Sequence, residues 1–255
     1  MDTAPPAPYL ARMQETFVFR HRAHEVTRLE AFSDIVFGFA LTLLVVSLEV
    51  PKTFEQLMHE MRGFPGFAIC FAMLMWLWHA HHTFFRRYGL TDGYTITLNT
   101  ILLFLILFYV YPLKFLFAGV TGALEGKAMA SSDDVVKLFT IYGLGFAGIF
   151  LLYVFLYLHA LRMKEQLRLT PPEIVTTKLL LYMYAAYVGI GALSTIIALT
   201  ASERFLGWAG WVYFLIGPAS GTIGTVMGKK RDRIFAESLE APSRSADDAT
   251  IQKPA

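Results

Sequence analysis

Charge is scarce in this chain. Asp, Glu, Lys and Arg make up 16% of its 255 residues, 55% are hydrophobic and the mean hydropathy is +0.49, whereas soluble domains carry roughly 25% charged residues. An ordinary soluble enzyme does not have this composition. An excess of one sign is equally lacking: 22 Lys and Arg stand against 20 Asp and Glu, a net of +2. No broad basic face exists for a phosphate backbone, so nucleic acid is not an expected partner. The chain has one cysteine, Cys70, which excludes an internal disulfide, and its apolar neighbours mark it as a small buried hydrophobe. The opening Met-Asp-Thr-Ala-Pro-Pro has no basic segment followed by a short apolar one, so the first span is expected to direct insertion itself. No convincing internal repeat stands out, although a faint inverted relation between the first three spans and the last three is conceivable.

What is present is a series of long uncharged runs: 35–48, 63–85, 93–113, 138–161, 179–202 and 205–228. The last five exceed the roughly 20 apolar residues that cross a hydrocarbon core. The first has 14 residues and falls short. The expected fold class is therefore all-α, an integral membrane protein with six transmembrane helices. Lys and Arg on the flanks divide 14 to 6 between the two sides once the tail residues Arg244 and Lys253 are set aside, which places both termini in the cytoplasm. Trp208, Trp211, Tyr109 and Tyr111 then fall at the outer ends of the sixth and third spans, as an interfacial aromatic belt. The expected organisation is a cytoplasmic segment 1–27, a membrane domain 28–228 and a basic, then disordered, cytoplasmic tail 229–255. The proline-rich stretch 3–9 and residues 237–255 have little to bury. The longest outer connection, 114–137, reads as a loop whose Ser131-Ser132-Asp133-Asp134 stretch caps the next helix.

The short first run becomes long enough only by including charged residues. Thr27-Arg28-Leu29-Glu30 has the spacing of a capping box, and a helix from there to Pro51 spans the bilayer if Glu30, Ser33 and Asp34 enter or border it. An acid in that position usually faces protein or a water-filled path. Pairing of Asp34 with a cation such as Arg28 is the structural reading of the same residue. Beyond it, Phe39, Leu43 and Val46 share a face, with Ile35 extending the stripe and Thr42 beside it. Helix packing is the ordinary meaning of such a stripe. In the second run His79, His81 and His82 crowd one end, which opens a metal or haem reading and with it a membrane oxidoreductase. No Cys or carboxylate cluster supplies further ligands, so no cofactor is expected. Gly217, Gly221, Gly224 and Gly228 form a small-residue stripe suited to close helix packing, within or between subunits.

Arg28, Phe32, Ser33 and Asp34 together spell Arg-x-x-x-Phe-Ser-Asp, followed by the apolar run through Val46. This motif resembles the first-helix motif of the lysosomal-type potassium channels, the transmembrane protein 175 family. Trp78-His79-Ala80-His81-His82-Thr83-Phe84-Phe85 is similar to the family's tryptophan, paired histidines and phenylalanine, and Asp92 and Asn99 resemble positions leading into its third helix. The motifs cover about residues 28–99; the later spans add only the helix count. The resemblance implies a homotetramer in the cell membrane, a pore lined by the first helices, and K+ as the permeant ion. It places the principal constriction on Phe39, a polar pore-lining position on Thr42, and further apolar layers on Leu43 and Val46. It also implies that Arg28, Phe32, Ser33 and Asp34 hold the pore helix through polar contacts with Trp78, His81 and Asn99. The chain has no Thr-Val-Gly-Tyr-Gly filter, so a pore here must select with side chains, by the cost of dewetting and dehydration. Phe39 departs from the aliphatic residue of the family. A carrier that uses Asp34 and the histidines as a proton relay is the alternative function.

Overall fold

In a computed structural model, residues 19–23, 25–46, 52–62, 64–124 and 131–251 are described. Within them the chain is helical and no strand occurs. The order is α1 (Arg28–Val46), α2 (Phe54–Arg62), α3 (Phe64–Tyr88), α4 (Gly93–Leu124), α5 (Ser132–Arg162), α6 (Pro171–Thr200), α7 (Trp208–Trp211) and α8 (Ile216–Ile251). Single 3-10 turns occupy Glu203–Phe205 and Val212–Leu215. Among the described residues, four helical stretches are long and apolar enough to cross a membrane: Phe64–Tyr88, Gly93–Val110, Asp133–Arg162 and Pro171–Thr200. Two of the six expected spans are not in that set. In α1, Arg28, Glu30 and Asp34 fall within 19 residues. The apolar part of the last span is divided among α7, a 3-10 turn and the start of α8. Pro218 contributes to that break, because it has no N–H to bond the carbonyl four residues earlier.

Other expectations are corrected. The segment expected as an outer loop from residue 114 is helical as far as Leu124, Phe115, Leu116, Phe117 and Ala118 extending the apolar run beyond Lys114. Residues 125–130 of that connection lie outside the described ones. Ser131 does cap the next helix, its hydroxyl accepting from the Asp134 N–H at 3.4 Å. The tail expected to lack structure continues α8 to Ile251. Lys, Arg, Glu and Ala favour the helix there, and the Arg233–Glu237 pair at 2.9 Å adds an i, i+4 contact. The N-terminal stretch 3–9 is outside the described residues.

The bundle is built around α5 and α6, the most extensively packed pair, with α8 against α6, α4 against α5, and α3 against α4. Two glycines set the α5–α6 approach. A Cβ at Gly191 would stand 2.9 Å from the Gly143 carbonyl oxygen and 3.0 Å from the Ala147 nitrogen, and one at Gly143 would stand 2.9 Å from the Gly191 oxygen. A Cβ at any position of the small-residue stripe, Gly217, Gly221, Gly224 or Gly228, would meet nothing within 4 Å among the described residues. Close packing within the subunit therefore uses Gly143 and Gly191, not that stripe.

Aromatic rings fill the centre. Tyr88, Tyr142, Tyr153, Tyr157, Phe84, Phe85 and Phe150 are fully buried, with Phe150 stacked on Tyr184 at 5.7 Å and Phe84 edge-on to Tyr157 at 5.2 Å. A buried phenol needs a partner, and Tyr153 donates to the Leu77 carbonyl at 2.9 Å while Tyr88 shares a 2.7 Å bond with Thr177. Tyr109, expected in an interfacial belt, is buried and donates to the Tyr142 carbonyl at 3.3 Å. Its hydroxyl finds an acceptor inside the bundle, so it does not need the headgroup layer. The Tyr111 side chain lies outside the described residues, whereas Trp208 and Trp211 are exposed. Cys70 is buried, as its apolar surroundings predict.

Asp92 precedes α4 and caps it, accepting from the Thr95 hydroxyl at 2.6 Å and from its N–H at 3.3 Å. His159, in the last turn of α5, reaches both carboxylate oxygens at 3.0 and 3.1 Å. Burial alone would raise the Asp92 pKa, but the Thr95 and His159 hydrogen bonds outweigh it and hold the carboxyl below its ordinary range. A depressed folded-state pKa contributes stability that is complete above the unfolded value and is lost as pH falls through the folded one. Thermal unfolding in detergent should therefore show a decline below about pH 4 that Asp92→Asn reduces. An identical decline in the variant would show that other carboxylates account for it.

Candidate functional site

The two faces of α1 differ in kind. Glu30, Ser33, Phe37, Ala40 and Leu44 are buried, at spacings of 3, 4, 3 and 4 that trace one side of a helix. That side rests on α3 and α4. On the other side Phe32, Ile35, Phe39 and Leu43 are 60, 57, 62 and 45% exposed, and Arg28, Gly38 and Thr42 are exposed with them. In a membrane an uncovered apolar face is solvated by lipid as readily as by protein, and what sets this face apart is that Arg28 and Thr42 share it with the apolar residues. Thr42 donates to the Gly38 carbonyl at 2.9 Å, which satisfies its proton and leaves its oxygen lone pairs on the uncovered face. Val46 ends the helix, and its side chain is outside the described residues.

The buried face is fastened by polar contacts. Ser33 donates to the Leu29 carbonyl at 2.8 Å and accepts from Asn99 Nδ2 at 2.9 Å, while Asn99 Oδ1 stands 2.8 Å from His81 Nε2. With the Asn99 amide donating to Ser33, its oxygen must accept, so His81 donates through Nε2. The protons run one way, from His81 through Asn99 and Ser33 to the α1 backbone. All three side chains are buried, where paired polar groups hold one geometry, although His81 Nδ1 has no hydrogen-bond partner among the described residues. Phe37 packs edge-on against the His81 ring at 5.5 Å.

A second contact lies beside the first. Trp78 donates from Nε1 to Asp34 Oδ1 at 2.8 Å, and its indole stacks on His82 at 5.4 Å. His82 Nδ1 stands 3.5 Å from Glu30 Oε1. The structure thus brings together Ser33, Asp34, Trp78, His81 and Asn99. Arg28 and Phe32 are left on the exposed face, and no described residue supplies a hydrogen bond or ion pair to Arg28. Asp34 takes an indole N–H in place of the guanidinium that charge pairing would suggest. Thr27 caps the Glu30 N–H at 3.1 Å, but the Glu30 carboxylate turns toward His82 instead of closing a capping box. Glu30 and His82 were not expected in this network. The signal for Glu30 was its position three residues before Ser33, which puts it on the same buried face.

The three histidines diverge. His81 belongs to the Asn99 chain, His82 lies on Trp78, and His79 is exposed. Among the described residues no three His, Cys, Asp or Glu side chains gather as metal ligands.

Removing the central amide should be costly. Asn99→Leu strands the His81 N–H and unpairs Ser33, a loss of about 1–3 kcal/mol for the buried donor. A lowered unfolding temperature in detergent is the expected result, and an unchanged one would mean that water replaces the amide.

Residues 28–109 match the family described as endosomal/lysosomal potassium channel TMEM175. A potassium channel of Marivirga tractuosa is 39% identical over 233 residues, which cover 86% of this chain and 94% of that protein. A crystal structure of a variant of the potassium channel MtTMEM175, bound to a nanobody fusion protein, superposes with a TM-score of 0.73 at 39% identity, over 83% of this chain and 97% of that one. The structure of a lysosomal potassium-selective channel homologue from Chamaesiphon minutus shares the fold, with a TM-score of 0.53 at 21% identity, over 77% and 96% of the two chains. The chain belongs to the TMEM175 family.

Proposed function

We propose that this chain, a multi-pass membrane protein and a potassium channel by its family, conducts as a homotetramer through a central pore lined by the uncovered face of α1. One α1 cannot enclose a water path, and symmetric closure of identical subunits can. The observation that carries the reading is the division of α1 into a buried polar ladder and an exposed apolar stripe containing Ile35, Phe39, Thr42 and Leu43. The ladder fixes the helix against α3 and α4, and the stripe is free to meet its copies around the axis. Phe39 forms the constriction, Thr42 offers oxygen to the permeating ion, and Leu43 and Val46 add apolar layers beyond it. Such a neck passes more readily the ion that loses its hydration water at lower cost, which favours K+ over Na+. α1 and the segment from α7 into α8 complete six spans, with both termini in the cytoplasm and the assembly in the cell membrane.

The family and the relatives are potassium channels, not enzymes, so the oxidoreductase reading is set aside. Arg28 at the start of α1 lies on the pore-facing side, where it meets the ion path or a neighbouring subunit. Potassium flux into liposomes holding the purified protein, measured beside sodium flux, tests the function. Potassium-preferring flux is expected; saturable uptake coupled to a proton gradient would favour the carrier. Asp34→Asn should reduce the tetramer fraction or the open probability while leaving the reversal potential unchanged. An intact tetramer with lost selectivity alone would contradict the positioning role of Asp34.

A further inference from the structure

Six residues before the start of the pore helix, at Arg22, the chain is fastened to the rest of the bundle. The Arg22 guanidinium donates from Nε to the Leu167 carbonyl at 2.7 Å and from its two terminal nitrogens to the Glu173 carboxylate at 3.2 and 2.8 Å. Further bonds run to the carbonyls of Arg20, Arg87 and Arg168 at 3.1, 3.4 and 3.3 Å. Glu173 is 1% exposed, and its oxygens also accept the backbone N–H of Arg20 at 2.7 Å and of Thr170 at 2.8 Å. On the α3 side, the N–H groups of Arg22 and Ala23 reach the Arg86 carbonyl at 3.2 and 3.4 Å, and Arg86 donates back to the Ala23 carbonyl at 2.8 Å. Phe19 packs edge-on against Tyr88 at 5.5 Å with Arg87 4.9 Å from its ring. Gly89 turns the chain after α3 at φ +59°, a conformation that favours glycine, and a Cβ there would be in ordinary contact with residues 22–23, 3.4 Å from the Ala23 nitrogen.

These contacts are more than a surface ion pair. They tie residues 19–23 at once to the end of α3, the α5–α6 turn and the first turn of α6. Only residues 24–27 separate that strap from Arg28, so any displacement of the strap is passed to the first turn of α1. α1 itself packs on α3 and α4, and the strap adds a connection to α6.

We propose that Arg22 and Glu173 form a positioning pair that fixes the end of the pore helix where α1 begins and so sets the balance between open and closed channel. The inference rests on α1 lining the pore. Glu173→Gln keeps the size and one oxygen acceptor, but it turns the other oxygen into an NH2 group, which leaves one of the Arg20 and Thr170 N–H groups without its acceptor, and it removes the charge that draws Arg22; Arg22→Lys keeps the charge but loses the fork. Both side chains lie away from Phe39, so neither variant should change unit conductance or reversal potential. Single-channel recording in planar bilayers should show an open probability altered by about threefold or more in Glu173→Gln, the shift expected when one state of a two-state equilibrium loses a paired buried charge. Arg22→Lys should move it in the same direction. Unchanged open probability in both variants would overturn the proposal, and so would an altered reversal potential, which would place the pair in the permeation path.

Hydrogen exchange of the detergent-solubilised tetramer separates this proposal from the pore reading. Faster exchange at the amides of residues 28–33 in Glu173→Gln, with α8 unchanged, supports the anchor even if wild-type protein conducts nothing. Unchanged exchange there overturns it even if conduction is confirmed.

Discussion

Phe39→Ala is expected to raise potassium flux through reconstituted protein by about tenfold, equivalent to lowering the barrier by about 1.4 kcal/mol. The ring is 62% exposed in its own subunit, so its loss leaves the packing of α1 on α3 and α4 in place. In the proposed tetramer, four such rings around the axis would make a narrow apolar neck that ions cross only by shedding water. Replacement by alanine widens and wets that neck, and potassium selectivity should fall as flux rises. Phe39→Ile, which places a smaller aliphatic side chain there, should conduct between the two while keeping the preference for potassium. Flux and selectivity unchanged in Phe39→Ala would remove this residue from the constriction.

Gly191→Leu is expected to prevent formation of the folded bundle. The position faces the Gly143 carbonyl oxygen and the Ala147 backbone nitrogen at 2.9 and 3.0 Å, and backbone cannot yield as a flexible side chain can. Separating α5 from α6 far enough to admit leucine would open the aromatic core between them, at a cost beyond the roughly 1–3 kcal/mol of ordinary overpacking. Gly221→Leu is the matched control, because no described residue stands within 4 Å of a Cβ there. Size-exclusion chromatography after detergent extraction should show aggregate for Gly191→Leu and a folded subunit for Gly221→Leu. A normal profile for Gly191→Leu would mean that the helices cross with more freedom than their closest atoms allow.

The two glycine sets show where sequence is a poor guide to packing. Spacing of 4, 3 and 4 made Gly217 to Gly228 the conspicuous stripe, yet contact depends on which face a neighbouring helix covers. Gly143 and Gly191 lie 48 positions apart and become partners only through the α5–α6 turn. On α1 the position was different. Periodicity alone put Phe39 and Leu43 on one face, and the short uncharged run already required Glu30, Ser33 and Asp34 to be accommodated. The partners of Ser33 and Asp34 were legible only through the resemblance, since no rule of spacing joins Ser33 to Asn99 or Asp34 to Trp78. The resemblance assigned no contact to Glu30 or His82 and did not extend to the Arg22–Glu173 pair. Tyr109 was misplaced for a related reason: a tyrosine near a span end is equally suited to the headgroup layer and to an interior carbonyl, and the Tyr142 oxygen decided it. The helix continuing past Pro112 and the helical tail run through Gly119, Gly122 and Pro242, so neither local propensity nor a search for charge-free runs foretells them.

The central claim is that the exposed stripe of α1 faces a water-filled axis, and cysteine accessibility tests it most directly. The native thiol is confined to buried Cys70, so Cys70→Ala gives a background on which single cysteines can be placed. A water-soluble, positively charged thiol reagent should block potassium current in Ile35→Cys, Thr42→Cys and Leu43→Cys, and should spare Ala40→Cys and Leu44→Cys on the opposite face. Block at Ala40 and Leu44 with none at Thr42 and Leu43, in channels that still conduct, would contradict it.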